Sequence, residues 1–358
     1  MKKISSFIAL SALLVVGCAA FAASGPIHPR YVVLPQRPAQ SNAPAGTLQE
    51  WTGKLNSSDT FVMVGTDPSK TNTTTTVNVY ILPVNICING TCFDPATKQS
   101  NGATAIANVV NSPIFQNQQY TQGGTDIGNT QYEDAFQRSN FWGDVMTNTN
   151  YHVLLKPIVL PEYKANIPSG QGSIGNNYFG IPEVGLVQIN YVDTEINAAF
   201  SKLKQVNPTN VLMVMTYNTY LIEGSECCIG GYHSATGNQT YGHFTYTTPA
   251  SGTSFSEDVS ALSHELGEWM DDPLTNGGNN SPCGILEVGD PIEGEIGTHD
   301  FGDYTYTLNG YTYHVQDLAT MQYFGQSPDL VNNSFWTFQG QSGNLPGLGN
   351  IGECSFGS

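Results

Sequence analysis

One stretch constrains this chain more than any other: residues 254–273, SFSEDVSALSHELGEWMDDP. Ser254 followed three residues later by Glu257 has the form of a capping box, so a helix is expected to start there. Pro273 biases Asp272 away from helical angles, which ends the helix near Met270. At about 100° per residue, Val259, Leu262, Leu266, Trp269 and Met270 share one side and require a core to pack on. The opposite side carries Glu257, Ala261, His264, Glu268 and Asp271, with Glu265 about a quarter-turn away. His264 and Glu268 stand one turn apart, so an imidazole and a carboxylate can reach one metal ion. Any fold for this chain must give that helix an apolar bed on one side and room for chemistry on the other.

The first residues stand apart from that fold. MKKISSFIALSALLVVGCAAFAAS has a basic start at Lys2 and Lys3, an apolar run from Ile4 to Val16 and a small-residue end, so residues 1–23 read as a signal peptide. Val15-Val16-Gly17-Cys18 resembles a lipobox, which would leave a lipid on Cys18, whereas Ala20-Phe21-Ala22 is an ordinary cleavage signal that removes Cys18. Both readings imply export, to the periplasm, the cell surface (an outer-membrane lipoprotein on the first) or the medium. No second apolar run is long enough to span a bilayer.

Cysteine usage agrees with export. Apart from Cys18 there are Cys87, Cys92, Cys227, Cys228, Cys283 and Cys354, an even set that reads as three disulfides among fifteen connectivities. Cys87 and Cys92 are expected to close a small loop around Asn89-Gly90. The neighbours Cys227 and Cys228 are expected to reach two different partners, Cys283 and Cys354. The absence of a C-x-x-C pair argues against a cysteine-rich zinc site. Lys and Arg number 12 against 29 Asp and Glu, a net charge of −17 that grows by two when the leader's lysines are removed. Such a chain is repelled by phosphate backbones, which excludes nucleic acid as a partner.

Along the chain, residues 24–50 carry Pro26, Pro29, Pro35, Pro38 and Pro44 without periodicity and read as an extended tether. Residues 51–273 are expected to hold a sheet and the helix described above, and residues 274–358 a loop-rich C-terminal part. TVNVYILPVNI (76–86) reads as a strand with a bulge or edge position at Pro83. A short helix is expected over 103–111, a loop over 112–131, a helix over 132–146 and a strand over 152–160. After a loop at 169–182, Asp193 reads as the cap of a helix that presents Ile196, Ala199, Phe200 and Leu203. NVLMVMTY (210–217) is a continuous apolar run, hence a strand covered on both sides. A Gly- and Cys-rich loop follows, then YGHFTYT (241–247) as a strand near the sheet edge. Residues 304–315 read as a hairpin turning at Asn309-Gly310, and 317–324 as a helical turn or two.

This order of elements, ending in a helix with H-E-x-x-E, resembles the zincin metallopeptidases. The resemblance is specific over about residues 241–290 and only topological upstream. It implies an α+β fold in which a mixed sheet packs on helices and an edge strand lines a substrate cleft beside a long active-site helix. Within the zincins the chain is similar to the gluzincin branch, where a downstream Glu completes the ligand set and the residue after the first His is the general base. The resemblance then implies His264, Glu268 and Glu287 as ligands, zinc as the metal and Glu265 as the base. Asp290 would orient His264 from outside the ligand set. The departure is Glu268, which stands where the family has its second histidine. One nitrogen with two carboxylates makes a harder, more negative site, to which His299 or His314 could restore a second nitrogen, with Asp271 as a further supporting or alternative ligand. The W-M-x-D-P ending of the helix is also similar to poorly characterised secreted proteins of bacteria and fungi. The reaction implied is metal-assisted hydrolysis of a peptide bond in a peptide or protein substrate.

Plainer readings stand beside these. H-E-x-x-E is also what a solvated helix face looks like. Asp271, Asp272, Asp290, Glu293, Glu295, Asp300 and Asp303 are either solvated acidic loops or oxygen donors for calcium. His152, His233 and His243 read as surface or packing residues, and Met321 as a core residue. There is no G-x-S-x-G elbow or P-loop, and Ser263 beside His264 cannot face it on a helix. Carboxylates abound for glycoside chemistry, but no pair is singled out. The many Tyr and Trp residues suit a carbohydrate-binding surface, so a non-catalytic surface or binding protein is the alternative function.

Overall fold

A computed structural model describes residues 27–41, 45–54, 60–250, 255–275, 303–316, 319–320 and 336–338. Part of the stretch expected to be a tether is a strand, β1 (Ile27–Val33). Pro29 has no N–H to give a ladder and falls at a register shift between Ile27 and Arg30, where none is needed. Next come the antiparallel pair β2 (Glu50–Lys54) and β3 (Thr60–Val64), the 15-residue β4 (Thr74–Ile88) and β5 (Thr91–Phe93). Asn89 and Gly90 both take positive φ between β4 and β5, and the expected disulfide joins Cys87 to Cys92 across that turn.

Helix α1 (Ala105–Val110) starts where Thr104 accepts a hydrogen bond from the Ala107 N–H. The glutamine-rich segment expected as loop holds a hairpin, β6 (Gln118–Gln122) and β7 (Thr125–Thr130). Then follow α2 (Tyr132–Asn140), α3 (Trp142–Val145), β8 (His152–Val159) and β9 (Tyr163–Asn166). A second expected loop is also a hairpin, β10 (Gly172–Tyr178) and β11 (Ile181–Gln188). Helix α4 (Ile189–Ala199) begins before Asp193, which is buried inside it instead of capping it. There the Asp193 carboxylate accepts from the hydroxyls of Tyr241 (2.7 Å) and Tyr232 (3.3 Å) and pairs with Arg37.

The remaining elements are β12 (Val211–Tyr217), β13 (Thr219–Glu223), β14 (Glu226–Thr236), β15 (Gln239–Tyr246) and α5 (Ser260–Asp271). The hairpin expected at Asn309-Gly310 is β16 (Asp303–Leu308) and β17 (Tyr311–Gln316). Where a helical turn was expected stands the short strand β18 (Ala319–Thr320), which pairs with β19 (Trp336–Thr337). Cys227 and Cys228 bond each other, not two separate partners, both buried at the start of β14. Cys18, Cys283 and Cys354 lie outside the described residues, as do the leader and the lipobox.

Eleven strands join one mixed sheet, ordered β10-β11-β13-β14-β15-β12-β4-β5, with β1 on β14 and β8 and β9 on β4. Every residue of β12 is buried between parallel β4 and β15, as its unbroken apolar run requires. Pro83 lies inside the sheet, but at the point where the partner on one flank changes from β8 to β9, so its missing N–H breaks no bond there. β15 is internal, not near the edge, and two of its alternating polar residues find partners within the interior. His243 Nε2 lies 3.0 Å from Thr216 Oγ1, and Thr245 Oγ1 accepts from the Thr219 N–H at 3.1 Å. The architecture is thus mixed α+β and dominated by strands. Helix α5 rests on β14 and β15 and is covered on its other sides by α2, β3 and β17.

Candidate metal centre

Helix α5 starts at Ser260, six residues later than the expected cap at Ser254, which lies outside the described residues. The physical reason is local. Ser256 and Asp258 have φ of 61° and 38°, left-handed values that no α-helix admits. The carboxylates that would have capped are used elsewhere. Glu257 accepts from the Ala250 N–H (3.0 Å) and lies 3.1 Å from His314 Nε2, while Asp258 accepts from the His314 N–H and lies 2.8 Å from His314 Nδ1. At the other end Asp272 leaves helical angles just before Pro273, as expected.

All twelve residues of α5 are buried. The polar side of the helix is therefore not a solvated face. It points at β14, where His233 rises from the strand to meet it. His233 Nδ1 lies 3.4 Å from Glu265 Oε2 and 3.8 Å from Glu268 Oε2, and His264 Nε2 lies 3.2 Å from the same Glu268 oxygen. Ligand atoms about 2.0–2.1 Å from a tetrahedral zinc ion are about 3.3–3.4 Å from one another. The 3.2 and 3.4 Å spacings come close to such an edge, and the 3.8 Å spacing exceeds it. One ligand atom each from His233, Glu265 and Glu268 falls within 4.8 Å of the others. That group offers one imidazole and two carboxylates, and the His264 imidazole adjoins it through Glu268, donors that zinc accepts.

Neighbouring elements hold these groups in place. Gly231 precedes His233 by two residues and so shares its face of β14. A Cβ at Gly231 would stand 2.6 Å from Glu265 Oε1 and 2.9 Å from Glu265 Cγ, so the missing side chain is what lets Glu265 lie on the strand. Gln316 of β17 meets His264 Nδ1 with its side-chain oxygen. Its own backbone is fixed at both ends: the N–H donates to Ser263 Oγ (2.6 Å), and the carbonyl accepts from the Tyr132 hydroxyl (2.7 Å). An acceptor on Nδ1 selects the tautomer whose Nε2 lone pair faces Glu268. Tyr31 of β1 stacks on the His264 ring at 4.0 Å between centroids, so the supposed tether supplies a wall of the site.

Burial dominates the electrostatics. It pushes the His233 imidazole down to about 4, against the opposing pull of Glu268, so His233 is neutral and able to ligate at pH 7. Burial, and then the charge of Glu268, raises the Asp271 carboxyl well above the usual range; burial likewise lifts Asp272 to about 7.

The structure thus brings together three residues expected at the site, His264, Glu265 and Glu268, and adds His233, which was expected to be a surface or packing residue. Glu287, Asp290 and His299 lie outside the described residues. Asp271 is fully buried beside Glu268, not in a solvated acidic loop. His314 does not restore the second nitrogen: both its ring nitrogens face Asp258 and Glu257, and two residues further along β17 it is Gln316 that reaches His264. His243 is a buried packing residue as expected, and His152 is partly exposed on Asp134 at 2.7 Å. The signal for His233 was present in the sequence: a Gly pair just ahead of Tyr-His in a strand marks close approach by another element. Gln316 and Tyr31 carried no such mark. Among the described residues no helix is long and apolar enough to cross a membrane. Comparison with family models, curated proteins and solved structures finds no match to this chain.

Proposed function

We propose that this chain is an exported metal-dependent hydrolase, a zinc metallopeptidase with His233, His264 and Glu268 as ligands and Glu265 as general base. The observation that carries the reading is the approach of His233 to the helix, because it supplies the second nitrogen that H-E-x-x-E lacks. Two histidines and a glutamate are a donor set used for zinc in peptidases. The helix lying on a mixed sheet supports a zincin-like scaffold, and the signal-like leader supports export, with Cys18 as a lipid anchor if the lipobox is used. Glu287 remains a candidate ligand from the downstream segment.

A bound zinc ion would supply Lewis acidity toward a scissile carbonyl. The chain's own residues do the rest. Glu265 accepts the proton of the attacking water on a carboxylate oxygen and returns it to the leaving amine nitrogen. Gln316 holds His264 in one tautomer, and Tyr31 fixes its ring plane. Substrates would be peptides or proteins.

A second reading is favoured by the burial itself. His233, His264, Glu265 and Glu268 are all at most 1% exposed. With Glu265 as a fourth ligand the centre would be closed, as structural metal sites are, in a non-catalytic binding protein for carbohydrate or another ligand. Calcium fits such a closed site poorly, because imidazole is not among its usual donors.

Glu265→Gln separates the two. On the first reading the variant keeps its zinc by elemental mass spectrometry and loses hydrolysis of a peptide library. On the second, zinc is lost from the variant and the parent protein hydrolyses nothing.

A further inference from the structure

The centre is closed to solvent, yet the proposed reaction needs a peptide carbonyl beside it. Of the elements around α5, α2 buries Tyr132, Ala135 and Phe136, and β3 buries Met63 and Val64. β17 carries Gln316, which meets His264. None of these can move without loss of core or of that contact. β1 is different. Tyr31 is the one buried residue among its seven. It pairs with no described strand but β14, and its ladder is interrupted twice, between Ile27 and Arg30 and between Arg30 and Val32. Among the described residues it is joined to the fold only through the chain that follows Val33.

β1 lies on the strand and the ring that form the centre. Val33 stands opposite His233, and the Leu34 N–H donates to the His233 carbonyl at 3.1 Å. Tyr31 stacks on the His264 ring, and its hydroxyl lies 3.2 Å from Ser256 Oγ and 3.3 Å from Ser260 Oγ. Its ring sits in a notch that Gly230 keeps open, since a Cβ there would stand 2.7 Å from Tyr31 Cε1 and 3.0 Å from Phe255 Cε1. Elsewhere the hold is lighter: Arg30 reaches Glu223 (3.4 Å) and Glu226 (3.5 Å), both exposed, and such ion pairs bind weakly. We infer that β1 is a displaceable cover: while it lies on β14 the centre is shut, and its departure, taking Tyr31 off His264, opens the centre to substrate. This rests on the metallopeptidase reading above. Gln316 stays on β17 and keeps the His264 tautomer in the open form. A vacated strand edge accepts another extended peptide through main-chain hydrogen bonds, so a free copy of the segment competes for it.

The experiment uses the full chain with the recognition sequence of a site-specific protease inserted after Ser41, at the end of the exposed run 38–41. The zinc-loaded protein is assayed before cutting, and again after the fragment carrying β1 has been removed by gel filtration. Two rates are read: hydrolysis of a peptide library, and extraction of zinc by a chromophoric chelator. Both should rise at least about tenfold on release, because a site open less than about a tenth of the time acts at that fraction of its full rate. A synthetic peptide of residues 27–41 should restore the slow rates, and the same peptide with Tyr31→Ala should not. A strand that served only to fix the His264 ring would lower hydrolysis on leaving. Hydrolysis present before release and unchanged or lower after it therefore overturns the inference, as does unchanged extraction where neither form hydrolyses. Faster extraction without hydrolysis keeps the cover and overturns the peptidase reading. No zinc in the uncut protein overturns the metal-centre reading and the cover with it. If the cut protein unfolds, Tyr31→Ala in the uncut chain decides: extraction faster by at least about threefold supports the cover, since the notch is then empty beneath an intact ladder, and an unchanged rate overturns it.

Discussion

Gly231→Ala adds one methyl group and touches no proposed ligand atom directly, yet it should disturb the centre. The added Cβ would meet Glu265 Oε1 at 2.6 Å, Glu265 Cγ at 2.9 Å and the His243 carbonyl oxygen at 2.9 Å. The carboxylate tip can swing away. The His243 carbonyl cannot, because β15 is an internal strand paired on both sides. Overpacking of this kind costs about 1–3 kcal/mol, and alanine recovers about 0.4–1 kcal/mol by restricting the unfolded chain. A net loss of about 1–2 kcal/mol corresponds to a fall in Tm of about 2–8 °C. Differential scanning calorimetry of the chelated protein reads that term alone. A peptide-hydrolysis assay of the zinc-loaded variant then reads the second effect, a loss of rate of about tenfold or more with zinc retained, because Glu265 is forced off the position it shares with Glu268 and His233. An unchanged Tm together with unchanged hydrolysis would refute the reasoning, since it would mean that Glu265 does not lie on β14.

Other perturbations test separate parts. His233→Ala should weaken zinc binding by more than about 100-fold, whereas His314→Ala should leave it within about threefold; competition with a chromophoric chelator measures both. Gln316→Leu should cost about 10–100-fold in zinc affinity, and Gln316→Glu, which keeps an acceptor on His264 Nδ1, should restore it. Arg37→Met strips the buried Asp193 of its counter-charge while leaving its Tyr232 and Tyr241 hydrogen bonds, so urea unfolding should show a loss of about 1–3 kcal/mol. A tether would show none. Burial holds His243 down to about 3, below the unfolded value of 6.5, so the unfolded chain takes up a proton that the folded chain refuses. Its contribution is complete above pH 6.5 and is lost as pH falls, by about 1.4 kcal/mol per unit between pH 6.5 and 3. Urea titrations of His243→Gln across that range should show a correspondingly shallower decline.

The elements legible in the sequence are those whose own pattern dictates their conformation. The unbroken apolar run of β12, the Asn-Gly turn between β16 and β17, the short span from Cys87 to Cys92 and the apolar stripe of α5 all behave as local rules require. The misread segments are those in which polar residues find partners inside the protein. β6, β7, β10, β11 and β14 are rich in Gln, Asn, Gly and Cys and look like loops until a neighbouring strand is supplied. Asp193 resembles a cap because Asp commonly is one, and only Arg37, Tyr232 and Tyr241 give it a reason to be interior.

The same division runs through the candidate site. The sequence by itself determined the helix with His264, Glu265 and Glu268, because three residues within two turns are placed by helical geometry alone. Only the tertiary structure decided that their face is buried, that His233 comes from a strand 31 residues upstream of His264, and that Tyr31 and Gln316 adjoin His264. The physical reason is that a metal centre is a sum of side chains whose elements meet through sheet register and helix packing, and neither is encoded at any one position along the chain.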